Sequence, residues 1–265
     1  MKNKKIAIIG CGNLGLSILN GLLNNSDIIA SNITVTKRNI DSLGHLAQTG
    51  INLTKNNVEA VINSDIIILA LKPYNILEVL NELSSSLITD KHILISLATG
   101  ISIKELEKNV CLPIPIFRVM PNTAADVSTS MTCICSNTED STTIAIVKKC
   151  FDSIGNTIFI KEDLMNSATV LGACGIAYAL RFIRAMVQGG IQIGFDSKTA
   201  SEIVNQTVRG ATELLIERNN HPEFEIDKVT TPKGCTIAGL NEMEHNGFSS
   251  ALIKGIVTSF NAIEQ

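Results

Sequence analysis

Apolar residues fall along this chain in two different patterns. Up to Ile160 they come in short runs: Ile6, Ala7, Ile8 and Ile9 and 66–71 are apolar throughout, and 33–36, 93–97 and 116–119 carry polar residues among apolar ones. Between these runs, 14–23, 58–62 and 75–87 carry apolar positions at helical spacing. A strand without a polar position needs cover on both faces, and strands that alternate with helices predict a parallel sheet between two helical layers. After Phe159 and Ile160 the β pattern stops. From Asn166 onward the spacing is helical, with breaks at Gly194, at His221-Pro222 and at Pro232. The expected organisation is an α/β domain over 1–161 and an all-α domain over 162–265.

In the second part, 183–193 and 249–263 are apolar on more than one face. A helix with little polar face is usually buried on all sides, and a domain of this size has limited room for that. The pattern predicts a subunit interface made by these helices. The chain is then an obligate dimer, with a site that combines one subunit's α/β domain and helices of another.

Composition narrows the setting. The 265 residues are 45% hydrophobic and 18% charged, which supports a buried core and argues against disorder. With no tryptophan and 4% aromatics, that core rests on Ile, Leu, Val and Ala. A net charge of −3 argues against nucleic acid as the main partner. The seven cysteines are odd in number and form no paired framework, as expected of free thiols in a reducing compartment. The basic start leads into an apolar run too short for a signal peptide, and no stretch approaches ~18 uninterrupted apolar residues. These features predict a cytoplasmic protein without a membrane or nucleic-acid partner.

Gly10-Cys11-Gly12-Asn13-Leu14-Gly15 follows the first apolar run and opens a helix. In that setting the first Gly permits a tight turn, the second lets a pyrophosphate approach the backbone, and the third lets helix and strand pack closely. The helix N-terminus then offers free N–H groups to the phosphates. A glycine-rich turn without a ligand is the plainer alternative, which the strand before and the helix after disfavour. The first domain is therefore expected to be a doubly wound Rossmann domain. The end of its second strand bears on the cofactor. An NAD site usually carries Asp or Glu there, whereas this chain has Thr36-Lys37-Arg38-Asn39. Two cations and two neutral hydrogen-bonding side chains suit the 2′-phosphate of NADPH, with NADH as the weaker cofactor; a solvated basic turn is the alternative. The third strand ends Leu69-Ala70-Leu71-Lys72-Pro73, beyond which ligands sit in open α/β sheets. Lys72 is read as part of a cofactor-positioning backbone, against the alternatives of a surface charge or a proton donor.

Acid–base machinery is not visible. His45, His92, His221 and His245 fall in loops or polar segments and read as surface residues. Cys133 and Cys135 alternate as in a strand, without a second pair at zinc spacing, so no metal is expected. Tyr178 reads as a packed helix residue or a donor to substrate.

Three runs are more specific. They are Arg118-Val119-Met120-Pro121-Asn122-Thr123, Gln206-Thr207 followed by Gly210-Ala211, and Val229-Thr230-Thr231-Pro232-Lys233-Gly234-Cys235-Thr236-Ile237-Ala238-Gly239-Leu240 continuing to Glu244 and Gly247-Phe248. With them the chain resembles the pyrroline-5-carboxylate reductase family over essentially its whole length. The last run is similar to that family's Ser/Thr-Pro-Gly-Gly-x-Thr turn, which opens a helix. The resemblance implies NADPH-dependent reduction of the C=N bond of 1-pyrroline-5-carboxylate to L-proline, the last step of proline biosynthesis. It implies an NADP-binding Rossmann domain and a helical dimerisation and substrate domain, as a homodimer or a ring of dimers. It sets Asn57, Ala70, Leu71, Lys72 and Pro73 at the cofactor. It sets Thr231, Gly234, Cys235 and Thr236 at the substrate, with backbone N–H groups near Cys235 and Thr236 taking the carboxylate. A turn into a helix N-terminus suits an anion on physical grounds as well.

The Thr236 hydroxyl is the candidate catalytic group, because a hydroxyl can hydrogen-bond the ring nitrogen both as iminium and as amine. A helix cap is its alternative role. The chain departs from the family pattern at three places. Gly172-Ala173-Cys174-Gly175-Ile176-Ala177-Tyr178 stands for Ser-Gly-Ser-Gly-Pro-Ala-Tyr, Lys233 stands for Gly, and Ala124 stands for Pro. The competing functions are a related NADPH-dependent imine or hydroxyacid reductase, and a non-enzymatic NADP-binding regulatory protein on the same fold.

Overall fold

The computed structural model describes residues 3–264. They pack into two compact units, 3–176 together with 260–264, and 177–259.

The first unit is built on one sheet of eight strands: β1 (Ile6–Ile9), β2 (Ile33–Thr36), β3 (Asn52–Thr54), β4 (Ile66–Leu69), β5 (Ile93–Ser96), β6 (Ile116–Met120), β7 (Ser130–Ser136) and β8 (Gly155–Phe159). Their order is β3-β2-β1-β4-β5-β6-β7-β8. The strands from β3 to β6 are mutually parallel, β7 is antiparallel to β6, and β8 is parallel to β7. The expected parallel sheet is thus corrected at its far edge. A parallel crossover takes about a dozen residues or more. The link 121–129 is shorter than that, so the chain turns straight back from β6 into β7.

The unbroken apolar runs are explained by cover on both faces. Ile6 and Ile8 point into one cluster and Ala7 and Ile9 into the other. Five helices accompany the sheet: α1 (Asn13–Leu23), α2 (Asn57–Ile62), α3 (Pro73–Leu83), α4 (Ile103–Val110) and α5 (Ser141–Asp152). Ile18, Leu19 and Leu22 of α1 and Val147 and Phe151 of α5 fill the first cluster. Val61 of α2, Ile76, Leu80 and Leu83 of α3, and Leu106 and Val110 of α4 fill the second. Three of these helices start at a side-chain cap and a fourth at a proline. Asn56 accepts from the Glu59 amide, Ser102 and Glu105 form a reciprocal capping box, Asp140 accepts from the Thr143 amide, and Pro73 opens α3.

Some boundaries differ from the sequence pattern. The third predicted strand stops at Leu69, which leaves Ala70 and Leu71 beyond its end, and α3 begins at Pro73 rather than at Asn75. Cys133 and Cys135 do lie on a strand, β7. His92 is not a surface residue. It is buried, its Nδ1 accepts from the Ile88 amide at 3.0 Å, and burial holds its pKa below the ordinary value.

The helical part begins with a 3-10 turn at Glu162–Leu164, followed by α6 (Met165–Ala168), a π-helical stretch (Thr169–Cys174) and α7 (Gly175–Gln192). An ion pair holds its start. Arg118 on β6, with a side chain 6% exposed, donates from Nη1 to Glu162 at 2.8 Å, and the same carboxylate oxygen accepts from the Ile103 amide at 2.7 Å.

The second unit contains most of α7 with α8 (Ser197–Arg218), α9 (Pro222–Val229), α10 (Cys235–His245) and most of α11 (Phe248–Glu264). The expected breaks at Gly194, His221-Pro222 and Pro232 fall between these helices. Asp196 caps α8 by accepting from the Lys198 and Thr199 amides, and His221 caps α9. Tyr178 packs in this unit and donates its hydroxyl to Ser259 Oγ at 2.6 Å. Among the described residues of this unit, Ala200 and Val204 alone are buried apolar residues. Ile193 is 78% exposed, Ile216 67% and Ile253 60%, so a single chain leaves this apolar surface open. Residues Glu162–Gln192 also form a helical run long and apolar enough to cross a membrane by length and composition. The sequence pattern had not shown this, because single polar residues break the apolar run while the average over it stays high.

Candidate functional site

A cavity of about 980 Å³ opens at the carboxyl ends of the strands in the first unit. It lies where the strand order reverses, since β1 has β2 on one side and β4 on the other. Chains leave a doubly wound sheet in opposite directions at that point, which opens a crevice for a ligand.

The glycine turn forms the cavity wall beneath α1. Gly10 has φ +87°, and a Cβ there would collide with Leu71, so only glycine fits. At Gly12 an added Cβ would meet nothing within 4 Å, which leaves the backbone open to the cavity. Gly12 caps α1 without a side chain, so the first N–H groups of that helix lack an intrahelical or side-chain partner. Gly15 does not line the cavity. Its position would bring a Cβ to 2.8 Å from the Gly10 carbonyl oxygen and 3.2 Å from Ala70 Cβ, the close helix–strand contact expected of the third glycine. The turn is also tied to β2: the Thr36 carbonyl accepts from the Gly10 amide at 3.2 Å and the Cys11 amide at 3.0 Å. This fixes the glycine turn against the residue that precedes Lys37 and Arg38. The Cys11 thiol is buried, which raises its pKa, and it serves as a small apolar filler.

The structure brings Gly10, Gly12, Asn13, Leu14, Lys37, Arg38, Asn57, Ala70, Leu71, Lys72 and Pro73 together around this one cavity. Their spacing in sequence is wide, but each follows a strand or opens a helix at the same end of the sheet. The residues fit a dinucleotide phosphate: an open glycine backbone, an uncapped helix start, and basic side chains at the end of β2.

The second set of expected residues lies in the second unit. Thr231, Pro232, Lys233 and Gly234 make a tight turn, in which the Gly234 amide donates to the Thr231 carbonyl at 2.9 Å. A Cβ at Gly234 would lie 2.5 Å from Thr231 Oγ1, so glycine is required there. Helix α10 then starts at Cys235 with Gly234 as its cap and no side-chain cap bond. The amides of Cys235 and Thr236 therefore lie in the uncapped first turn, where an anion can be held. Thr236 sits inside the helix rather than at its cap, which corrects the capping alternative. Among the described residues its hydroxyl has no hydrogen-bond partner.

Residues 162–265 match the family described as pyrroline-5-carboxylate reductase dimerisation, and residues 5–100 match that described as NADP oxidoreductase coenzyme F420-dependent. Pyrroline-5-carboxylate reductase 2 of Dictyostelium discoideum is 40% identical over 273 residues, covering 97% of this chain and 91% of that relative. The chain belongs to the pyrroline-5-carboxylate reductase family. Pyrroline-5-carboxylate reductase 1 of the same organism is 44% identical over 266 residues; 96% of this chain is covered, and the chain spans about half, 48%, of that relative. The solved structure of Plasmodium falciparum pyrroline carboxylate reductase with NADP bound superposes with a TM-score of 0.90 at 29% identity, covering 99% of this chain and 98% of that one.

The departures from the reductase family pattern have physical readings. Lys233 has φ +61°, a left-handed conformation that costs a residue with a Cβ about 1–2 kcal/mol and glycine little. The usual family glycine is thus a backbone requirement, and this chain tolerates the strain. Residues Gly172 to Cys174 fall within the π-helical stretch, which takes backbone groups out of the α-helical ladder. Asn122 takes up one of them: its Nδ2 donates to the Gly172 carbonyl at 3.2 Å. Its Oδ1 accepts from the Ala124 amide at 3.0 Å, and its own amide donates to Ser130 Oγ at 3.0 Å. Asn122 therefore locks the turn that brings Thr123 to the cavity. Ala124 follows directly and supplies that amide, which a proline would lack.

Sequence reasoning missed several residues of the cavity wall, among them Lys55, Tyr74, Thr99 and Thr123. Lys55 follows β3, which at three residues is too short for a hydrophobic pattern to reveal. Thr99 and Thr123 lie just past β5 and β6. Extending the strand-end rule to every parallel strand would have found them.

Proposed function

We propose that this chain is an NADPH-dependent pyrroline-5-carboxylate reductase, which reduces the C=N bond of 1-pyrroline-5-carboxylate to give L-proline. The observation that carries this reading is the Thr231–Gly234 turn opening α10 with an uncapped first turn, in a chain of this family. Gly10, Gly12, Asn13 and Leu14 hold the pyrophosphate, and Lys37 and Arg38 hold the 2′-phosphate. Asn57, Ala70, Leu71, Lys72 and Pro73 line the remainder of the cofactor site, while Gly15 supports it through helix–strand packing. When bound, NADPH supplies the hydride that reduces the imine carbon.

The chain's own residues bind and orient the substrate. Amides at Cys235 and Thr236 take the carboxylate, and the Thr231–Gly234 turn sets their direction. The free Thr236 hydroxyl hydrogen-bonds the ring nitrogen, accepting from it as iminium and donating to it as amine, so the loss of charge leaves no polar group stranded. A protonated cyclic imine is already electrophilic, which suits a site without a strong general acid.

The helical segment from residue 162 is the dimerisation and substrate domain, and the working form is a homodimer or ring of dimers. Its exposed Ile193, Ile216 and Ile253 support this, as does the match to a dimerisation family. The apolar run 162–192 is then a subunit-contact helix rather than a membrane span. The free thiols suit the reducing cytoplasm.

A steady-state assay with NADPH and 1-pyrroline-5-carboxylate tests the proposal, with proline identified as the product. Turnover with proline formation is expected. Tight NADPH binding without turnover would instead favour the regulatory reading, and turnover confined to other imines or to hydroxyacids would favour a related reductase.

A further inference from the structure

Lys55 stands beside the proposed 2′-phosphate site on the edge of the sheet. Thr54 and Thr36 are Cα partners in the parallel pair β2–β3, so Lys55 and Lys37 leave adjacent strands at the same end. Both line the cavity, together with Arg38. The backbone around Lys55 is fixed on each side. The Asn56 amide donates to Thr54 Oγ1 at 3.1 Å, and the Asn56 side chain accepts from the Glu59 amide at 3.1 Å to cap α2. Glu59 is the acidic residue closest along the chain, and the Thr54 hydroxyl donates to its carboxylate at 3.2 Å. Among the described residues, no ion pair includes Lys37, Arg38 or Lys55. Three cations thus follow the adjacent ends of β2 and β3 with no ion-pair partner among the described residues, while the acidic residues of the cavity lining, Glu78 and Glu82, belong to α3. An incoming dianion relieves the repulsion between such cations.

We propose that Lys55 is a specificity-determining residue, which holds the 2′-phosphate of NADPH from the β3 side while Lys37 and Arg38 hold it from β2. This rests on the cofactor reading given above. It adds a group from a strand that the usual logic of the β2 end does not use. A phosphate gripped from two strands is held by convergent charge, and the fixed turn at Thr54 and Asn56 limits the ordering cost at the Lys55 backbone. NADH has no group at that position, so Lys55 contributes to discrimination rather than to general cofactor binding.

The test compares Lys55→Met, which keeps the apolar stem, with Lys55→Arg, which keeps the charge, and with Lys37→Ala/Arg38→Ala. Michaelis constants for NADPH and NADH are measured at low and high salt. Lys55→Met is expected to raise the constant for NADPH by about tenfold and that for NADH by less than about twofold, with kcat little changed. Lys55→Arg is expected to restore most of the NADPH affinity, and added salt to narrow the gap between Lys55→Met and the native chain. If Lys55→Met leaves the NADPH constant within about twofold while Lys37→Ala/Arg38→Ala raises it, Lys55 has no part and the cofactor reading stands. If Lys37→Ala/Arg38→Ala affects NADPH and NADH equally, the cofactor reading fails and the role of Lys55 fails with it. Binding of 2′-AMP against 5′-AMP, followed calorimetrically, gives the same comparison without turnover.

Discussion

Replacing Thr236 by Ala separates chemistry from folding, because the structure gives the two effects opposite signs. Gly234, not Thr236, caps α10, and the Thr236 hydroxyl has no partner among the described residues. No cap bond is lost, so the cap penalty of about 0.5–2 kcal/mol does not arise. Alanine is the better helix former, by up to ~0.7 kcal/mol in a helix interior. Thermal stability should therefore stay level or rise slightly. Turnover should fall, because in the proposed mechanism the ring nitrogen loses its hydrogen-bond partner. A lost bond of that kind is worth about 1–3 kcal/mol, or roughly 5- to 150-fold in kcat/KM. Thr236→Ser keeps the hydroxyl and should retain most of the activity, while NADPH affinity should be nearly unchanged in both variants. Kinetics and melting temperature measured on one preparation decide the matter. A native kcat/KM in Thr236→Ala would refute the hydroxyl's role, and a marked loss of stability would refute the assignment of the cap to Gly234.

Four further expectations follow from particular contacts. Lys37→Ala/Arg38→Ala should raise the Michaelis constant for NADPH far more than that for NADH, by about 1.5–3 kcal/mol for each charge-assisted bond removed, as read in steady-state kinetics. Lys233→Gly should relieve the left-handed strain at φ +61° and, after allowance for glycine's greater freedom when unfolded, stabilise by about 0.5–1 kcal/mol in urea unfolding; an unchanged midpoint would argue against the strain. Glu162→Ala leaves the buried Arg118 without its carboxylate and the Ile103 amide without its acceptor. The expected loss is about 2–3 kcal/mol, below the ~3–5 of a fully buried pair because Glu162 is itself 37% exposed, and a loss under about 0.5 would show the pair to be incidental. Light scattering should find a dimer or a multiple of it down to low concentration, whereas a stable, active monomer would overturn the reading of the exposed helical surface.

The pattern of the chain was sufficient for the sheet's centre. Runs such as Ile6 to Ile9 and Ile66 to Leu69 are apolar at every position because both faces are covered, and that requirement is local and visible. The glycine turn was legible for a similar reason: positive φ at Gly10 and close packing at Gly15 restrict single positions to one residue type. The edges were less legible. β3 is short, β8 is half exposed, and β7 reverses direction, and no residue in 121–129 announces the reversal. Likewise, the basic residues at Lys37 and Arg38 could be read from their place after a strand, while Lys55 could not.

What the sequence determined by itself was the class of each segment and the residue types that backbone geometry demands, because these depend on neighbours a few positions away. The tertiary structure decided which strand ends share one cavity, that Asn122 ties the π-helical stretch to the turn carrying Thr123, that His92 is buried, and that Thr236 lies within α10 with a free hydroxyl. Those outcomes depend on strand order and on contacts between distant residues, such as Arg118 with Glu162, which no local periodicity records.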